Sequence, residues 1–290
     1  MSRSRSERLV VAVTGRYHGL GNRMRVVLGG QALARFEGRS FRYVWPTGRG
    51  FGARLDELWE FHARRWPTAL SRVLERSFPY RDAGLEWIDD AARRERVWQI
   101  RTPHALALPP GAPSWQASLR ALQPVEHIRR RIVELSAASA DRPYLGVMIR
   151  THTVAHEATL RESPVEWYLD RIEEIRTERP DLGLYVAADT DAAFVQVARR
   201  FPDCVGQTDK GAYNSRPALQ ASVADLYLLA GSCHILGPHY SSFPELARYL
   251  SGSAVALETS TSAPATRFEA QGEPTVGTPL RPELRSPGRN

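Results

Sequence analysis

Two kinds of residue are nearly missing from this chain of 290 residues. Cysteine occurs only at Cys204 and Cys233, both in apolar surroundings, which argues against a disulfide framework and leaves each as a small core residue. Lysine occurs only at Lys210, and we read the arginine-dominated remainder as the mark of a GC-rich bacterial genome. Long apolar runs are missing too. The longest, residues 223–236, is broken by Asp225 and His234, so no segment is expected to insert into a membrane. The apolar segment Leu9–Val13 is too short for a signal-peptide core, and a cytoplasmic location is expected. Surplus charge is slight as well: part of the net charge of +7 lies in the two tails, which leaves too little in the body to predict a nucleic-acid partner.

What is present is an ordinary globular composition, 42% apolar and 24% charged, at a length that suits two α/β domains. Strands and helices alternate, which predicts parallel sheets covered on both faces. In the first half, Leu9–Val13 reads as a buried strand, residues 24–36 as a helix and 41–45 as a second strand. Residues 59–99 mix aromatics and arginines without a clean period; a loop follows at 109–114, then a helix at about 124–135 and a small-residue linker at 136–140. A second series starts at Tyr144. Ser163-Pro164-Val165-Glu166 reads as a capping box with proline at the first helical position, and Val165, Tyr168, Leu169, Ile172 and Ile175 form one apolar face. Strand 184–188, helix Asp191–Arg200, helix 218–231, strand 233–236, helix Ser242–Leu250 and strand 254–257 complete it. The domains expected are therefore 1–140 and 141–260, followed by a Ser/Thr/Pro/Gly-rich tail, 261–290, expected to lack order.

Four places carry candidate chemistry. His18-Gly19-Leu20-Gly21-Asn22-Arg23 lies between a strand and a helix, where free amides favour an anion. It departs from the dinucleotide fingerprint at Met24, and a plain tight turn is the alternative. In Val147-Met148-Ile149-Arg150-Thr151-His152-Thr153-Val154-Ala155-His156-Glu157-Ala158, a strand gives way to ionisable groups. Arg150 at the carboxyl end of a strand suits a bidentate grip on phosphate. A zinc pair at His152 and His156 is the competing reading, but the order of residues does not fit the metalloprotease pattern, and no metal is expected. Asp189 also ends a strand, where it either meets a ligand or caps a helix that Thr190 or Asp191 could equally cap. Asp225 interrupts an apolar helix and needs hydrogen-bond donors from a ligand or from loop amides. Ser241 and Ser242 open a helix after a strand, a place for a cap or for a phosphate ligand.

Taken in order, Gly-Leu-Gly-Asn-Arg, the strand ending in Arg150, Thr-Val-Ala-His-Glu-Ala, Tyr-Val-Ala-Ala-Asp-Thr-Asp, Ala-Asp-Leu-Tyr-Leu-Leu and Ser-Ser-Phe resemble the fucosyltransferase superfamily. The α1,6-fucosyltransferases and rhizobial Nod-factor fucosyltransferases are the nearest in pattern. The resemblance covers roughly residues 10–257, with 50–140 unmatched, and Met148 stands where the family usually has histidine. It implies an α/β, GT-B-like architecture of two Rossmann-type halves, the first on the acceptor side and the second binding a GDP-sugar. It further implies inversion at the sugar carbon, no metal, and no cofactor beyond that donor. By motif position, Arg150 is similar to the arginine on the donor diphosphate, Asp225 to a carboxylate near the guanine, and Ser241 and Ser242 to the serine pair of the phosphate loop. Glu157 falls where the α1,6 enzymes carry a candidate base; His152 is the other candidate, and His156 is read as structural. The expected partners are a nucleotide-sugar donor and a small-molecule or glycan acceptor. A non-catalytic nucleotide-sugar-binding protein of the same fold is the alternative.

Overall fold

The buried run Leu9–Val13 becomes β1, the middle strand of a parallel five-stranded sheet. The computed structural model describes residues 7–139, 142–269 and 273–287 and divides into two compact units, Met1–Leu122 and Gln123–Asn290. After β1 the first unit runs α1 (Leu20–Phe36), β2 (Ser40–Val44), β3 (Arg65–Trp66), α2 (Thr68–Glu75), β4 (Tyr80–Arg81), α3 (Asp90–Arg94), β5 (Val97–Ile100) and α4 (Trp115–Ala121). The strand order is β3-β2-β1-β5-β4 and every pairing is parallel. A strand buried on both faces can be apolar throughout, which is why β1 shows no alternation. Helix α1 lies against it closely at Gly30, where an added Cβ would sit 3.0 Å from the Ala12 Cβ. The segment from 59 to 99, without period in the sequence, supplies the short edge strands and closes the core with Trp59 and Trp98.

The second unit runs α5 (Glu126–Ser139), β6 (Tyr144–Ile149), α6 (Glu157–Glu162), α7 (Val165–Glu178), β7 (Gly183–Ala188), α8 (Asp191–Arg200), β8 (Val205–Gly206), α9 (Arg216–Gly231), β9 (His234–Leu236), α10 (Ser242–Leu250), β10 (Ala256–Glu258), β11 (Thr275–Thr278) and β12 (Arg281–Pro287). Its main sheet, ordered β10-β9-β6-β7-β8, is again wholly parallel. Leu145, Val147 and Ile149 of β6 pack with Tyr168, Ile172 and Ile175 of α7, the apolar face read from the sequence. The α/β class with two parallel sheets is thus the architecture seen. No helix among the described residues is long and apolar enough to cross a membrane.

Five local expectations change, the last being the tail, expected to lack order. Helix α1 begins at Leu20, with Gly21 inside its first turn, rather than at Met24. Helix α5 belongs to the second unit, where it packs on α9, so the boundary falls at 122/123 and not at 140. The small residues expected to form a linker continue α5 to Ser139, as alanine favours, and residue 140 lies outside the described residues. Ser163 does not cap α7: its hydroxyl accepts from the His239 N–H at 2.8 Å, and Pro164 takes the cap position without a side-chain bond. Within the tail, β11 and β12 pair as an antiparallel hairpin. The Arg285 guanidinium ties that hairpin to the end of α9 by donating to the Ala230 and Ser232 carbonyls. Residues 270–272 and 288–290 of the tail lie outside the described residues.

Candidate functional site

In the second unit the chain moves from β6 to β7 and β8 on one side and to β9 and β10 on the other. Ligands of open α/β sheets bind at such a reversal, outside the carboxyl ends of the two strands that flank it. Here those strands are β6 and β9, which are paired through Leu145–His234, Gly146–Ile235 and Val147–Leu236. Arg150 is the first residue beyond β6, and His239-Tyr240-Ser241 lies between β9 and α10, which Ser242 opens. The sequence thus brings Arg150, Ser241 and Ser242 to one end of one sheet.

Arg150 is fixed from two sides. Its Nη2 donates to the Tyr213 hydroxyl at 2.9 Å and its Nε lies 3.7 Å from Asp189 Oδ2, with a quarter of the side chain exposed. Asp189 does not cap α8, a task done by Thr190, whose hydroxyl accepts from the Ala193 N–H at 3.3 Å. Its carboxylate instead accepts from the Thr151 N–H at 2.8 Å and the His152 N–H at 3.3 Å. The turn after β6 is therefore held by the residue that follows β7, and Arg150 is fixed in one orientation.

The two histidines of that turn face different rings. His152 stacks on Tyr213 at 4.0 Å between centroids, and His156 tilts on Tyr240 at 4.5 Å. His156 also caps α6, its Nδ1 accepting from the Ala158 N–H at 3.2 Å. His152 Nδ1 accepts from the Val154 N–H at 3.3 Å, which places the proton of the neutral ring on Nε2. Its basic nitrogen is therefore occupied. Glu157 opens α6, is exposed, and has no ion pair among the described residues; Arg161, its obvious partner, pairs with Glu162 at 2.7 Å. The α6 segment reaches the β9 loop through the Ser163 bond to His239 and a 3.4 Å bond from the Thr159 hydroxyl to the Tyr240 carbonyl. Tyr240 adopts φ +58° and is 68% exposed, a conformation costly for a side-chain-bearing residue. The Ser241 that follows makes no side-chain capping bond at the start of α10.

Two expected ligand contacts are turned inward. Asp225 is 4% exposed, and three donors occupy its oxygens: Tyr185 Oη at 2.7 Å, Gln207 Nε2 at 2.6 Å and Lys210 Nζ at 2.8 Å. No ligand is needed to balance it. Burial, and then the Asp225 carboxylate, keep the Tyr185 phenol protonated far above its usual range. Lys210 also donates to the Ala188 carbonyl at 2.8 Å, so the lysine pins the loop that carries Tyr213 to the end of β7. Tyr213 and Lys210 belong to no motif. Their signal in the sequence was the lone lysine and a carboxylate in an apolar helix that lacked donors.

Arg23 is likewise wholly buried. Its Nε donates to the His18 carbonyl at 2.8 Å, Nη1 to Pro46 O at 2.8 Å and Nη2 to Arg16 O at 3.3 Å, and it lies 3.9 Å from the Phe51 ring centroid. Burial brings its pKa down to about 10. Arg23 therefore ties loops together and offers no donor to a phosphate. Gly21 is buried inside α1, while Gly19 and the half-buried Asn22 remain at its open end. His18 accepts the Gly15 N–H on Nδ1 at 3.0 Å. Its pKa falls to about 4, first through burial and then through Arg23, Arg101 and His104.

The chain matches the fucosyltransferase NodZ from Bradyrhizobium over 97% of its own length and 98% of that chain, with a TM-score of 0.55 and 18% identity. NodZ α1,6-fucosyltransferase soaked with GDP-fucose matches over the same shares, at 0.55 and 17%. POFUT1 in complex with GDP-fucose matches over 88% of this chain and 98% of that one, at 0.55 and 12%. No family model and no curated protein matches the sequence. The chain has the fold of these fucosyltransferases.

Proposed function

We propose that the chain is a glycosyltransferase that moves fucose or a related sugar from a GDP-sugar to a hydroxyl of a small molecule or glycan. The observation that carries the reading is Arg150, held by Asp189 and Tyr213 at the β6/β9 reversal, at the same end of the sheet as Ser241 and Ser242. The fold of enzymes crystallised with GDP and GDP-fucose supports the same donor.

In this reading Arg150, the Ser241 and Ser242 hydroxyls and the first amides of α10 hold the diphosphate. A fixed guanidinium and oriented amides stabilise the charge that grows on the leaving group, so the reaction proceeds without a metal. The acceptor hydroxyl attacks the anomeric carbon as the bond to the diphosphate breaks, which inverts that carbon. Glu157 takes the proton of that hydroxyl; it is preferred to His152 because its carboxylate has no ion pair among the described residues while the basic nitrogen of His152 is engaged. The first unit serves the acceptor.

A thermal-shift panel of GDP, UDP, ADP and their sugars tests the donor, since a ligand that binds only the folded state raises the melting temperature with its affinity. GDP and GDP-fucose are expected to give the largest shift. Transfer from GDP-fucose, followed by mass and repeated in EDTA, tests the rest. Loss of transfer in EDTA with recovery on adding manganese would refute the metal-free reading; GDP binding without transfer to any acceptor would favour a binding protein.

A further inference from the structure

The first sheet also reverses. Its order β3-β2-β1-β5-β4 runs outward from β1 on one side and jumps to β5 on the other, which opens a second carboxyl-end crevice between β1 and β5. The residues that follow those two strands are Thr14-Gly15-Arg16-Tyr17-His18 and Arg101-Thr102-Pro103-His104.

Basic and imidazole side chains, Arg16, His18, Arg101 and His104, outnumber the carboxylate of Asp82 at this place. Arg16 and Arg101 have no carboxylate partner among the described residues, and both are exposed. The Arg101 guanidinium lies over the Tyr80 ring, 5.2 Å from its centroid, which orients it while the residue stays exposed. His18 is fixed by the Gly15 N–H on Nδ1, which leaves Nε2 as a donor. Gly15 cannot be another residue without moving that ring, since an added Cβ would lie 2.6 Å from His18 Nε2. Asp82 is the acid nearest His104, and it is committed to the Ala83 N–H at 2.7 Å and to Thr102.

Tyr17, on the same loop, is 94% exposed. An aromatic ring left in solvent beside a ligand crevice suits stacking against the C–H face of a pyranose. We propose that the β1/β5 crevice of the first unit binds an acidic saccharide acceptor, with Arg16, Arg101 and His104 on its carboxylate, sulfate or phosphate and Tyr17 against its ring. This assignment rests on the reading of the chain as a sugar transferase and adds the chemical class of the acceptor. A guanidinium outside any ion pair is free to make the bidentate contact that such groups accept.

Calorimetric titration of the full chain with tetragalacturonate, with a sulfated chitotetraose and with neutral chitotetraose tests it, each in the presence and absence of GDP. At least one acidic probe is expected to bind tenfold or more tightly than the neutral one, and to weaken as salt rises. Arg101→Ala combined with Arg16→Ala is expected to abolish that preference and leave GDP affinity unchanged. Tyr17→Ala is expected to weaken acidic and neutral saccharides alike. Equal binding of acidic and neutral probes, or an acidic preference that survives the double variant, overturns the proposal. GDP titration reads the donor site separately: acidic binding without GDP binding would sink the donor assignment alone, and GDP binding without any acidic preference would sink this one alone.

Discussion

Arg150→Ala separates a guanidinium that holds a ligand from one that merely holds the fold. The geometry sets both magnitudes. Within the protein, Arg150 meets Asp189 at 3.7 Å, too long for a strong charge-assisted bond, and Asp189 keeps the Thr151 and His152 amides when the arginine is gone. The carboxylate is therefore not orphaned, and the loss of stability should stay at or below about 1 kcal/mol, the scale of a partly solvated pair. On the donor the loss is larger. Removing a fixed charge from a diphosphate costs roughly 2–5 kcal/mol, and a quarter-exposed side chain belongs at the low end, about 2–3 kcal/mol. That predicts GDP affinity weakened about 30- to 150-fold with a nearly unchanged melting temperature. Arg150→Lys should fall between the two, because it keeps the charge and loses the fork. Calorimetry with GDP on folded protein is the assay. A variant that melts like the parent and binds GDP as tightly would remove Arg150 from the site and with it the central argument for the donor.

Glu157→Gln should leave GDP affinity unchanged and lower turnover by roughly 10²–10⁴-fold, the range for a positioned proton acceptor; retained turnover would move that task to His152. Tyr213→Phe should weaken GDP by about fivefold through a looser Arg150, equivalent to about 1 kcal/mol for one hydrogen bond, with turnover at saturating donor preserved. Burial raises the pKa of Glu258, but His234, Arg171 and the Phe268 N–H overcome this and bring it down to about 2. A carboxylate with a lowered folded pKa stabilises above its unfolded value, here 4.5, and loses that contribution as pH falls toward 2. Glu258→Gln should therefore cost roughly 3 kcal/mol in urea unfolding at pH 7 and progressively less below pH 4, and an equal gap at both ends would refute the assignment.

Most of the framework could be read from local pattern. Strands β1, β6 and β7 are unbroken apolar runs because parallel strands are covered on both faces, and α8 and α10 begin and end where their composition changes. What local pattern could not reveal was which way a polar side chain turns. Ser163 has the form of a cap, but an amide 76 residues later claims its hydroxyl. Arg23 and Asp225 were visible as charges in unusual places, and their partners, loop carbonyls in one case and Tyr185, Gln207 and Lys210 in the other, are chosen by the fold. Tyr213 sits in an irregular segment, so nothing periodic marked it as the support of Arg150.

The lone lysine turns the Tyr213 loop into a natural reporter. An endoproteinase that cuts after lysine has a single target in the whole sequence, the Lys210–Gly211 bond, and a cut there leaves fragments of 210 and 80 residues that one gel resolves. An amine-acylating reagent has the same single side-chain target, and an ammonium already donating to Ala188 O and Asp225 reacts only when the loop lets go. Since that loop holds Arg150, the rate of either reaction measures how often the site opens, in unmodified protein and without a substrate to turn over.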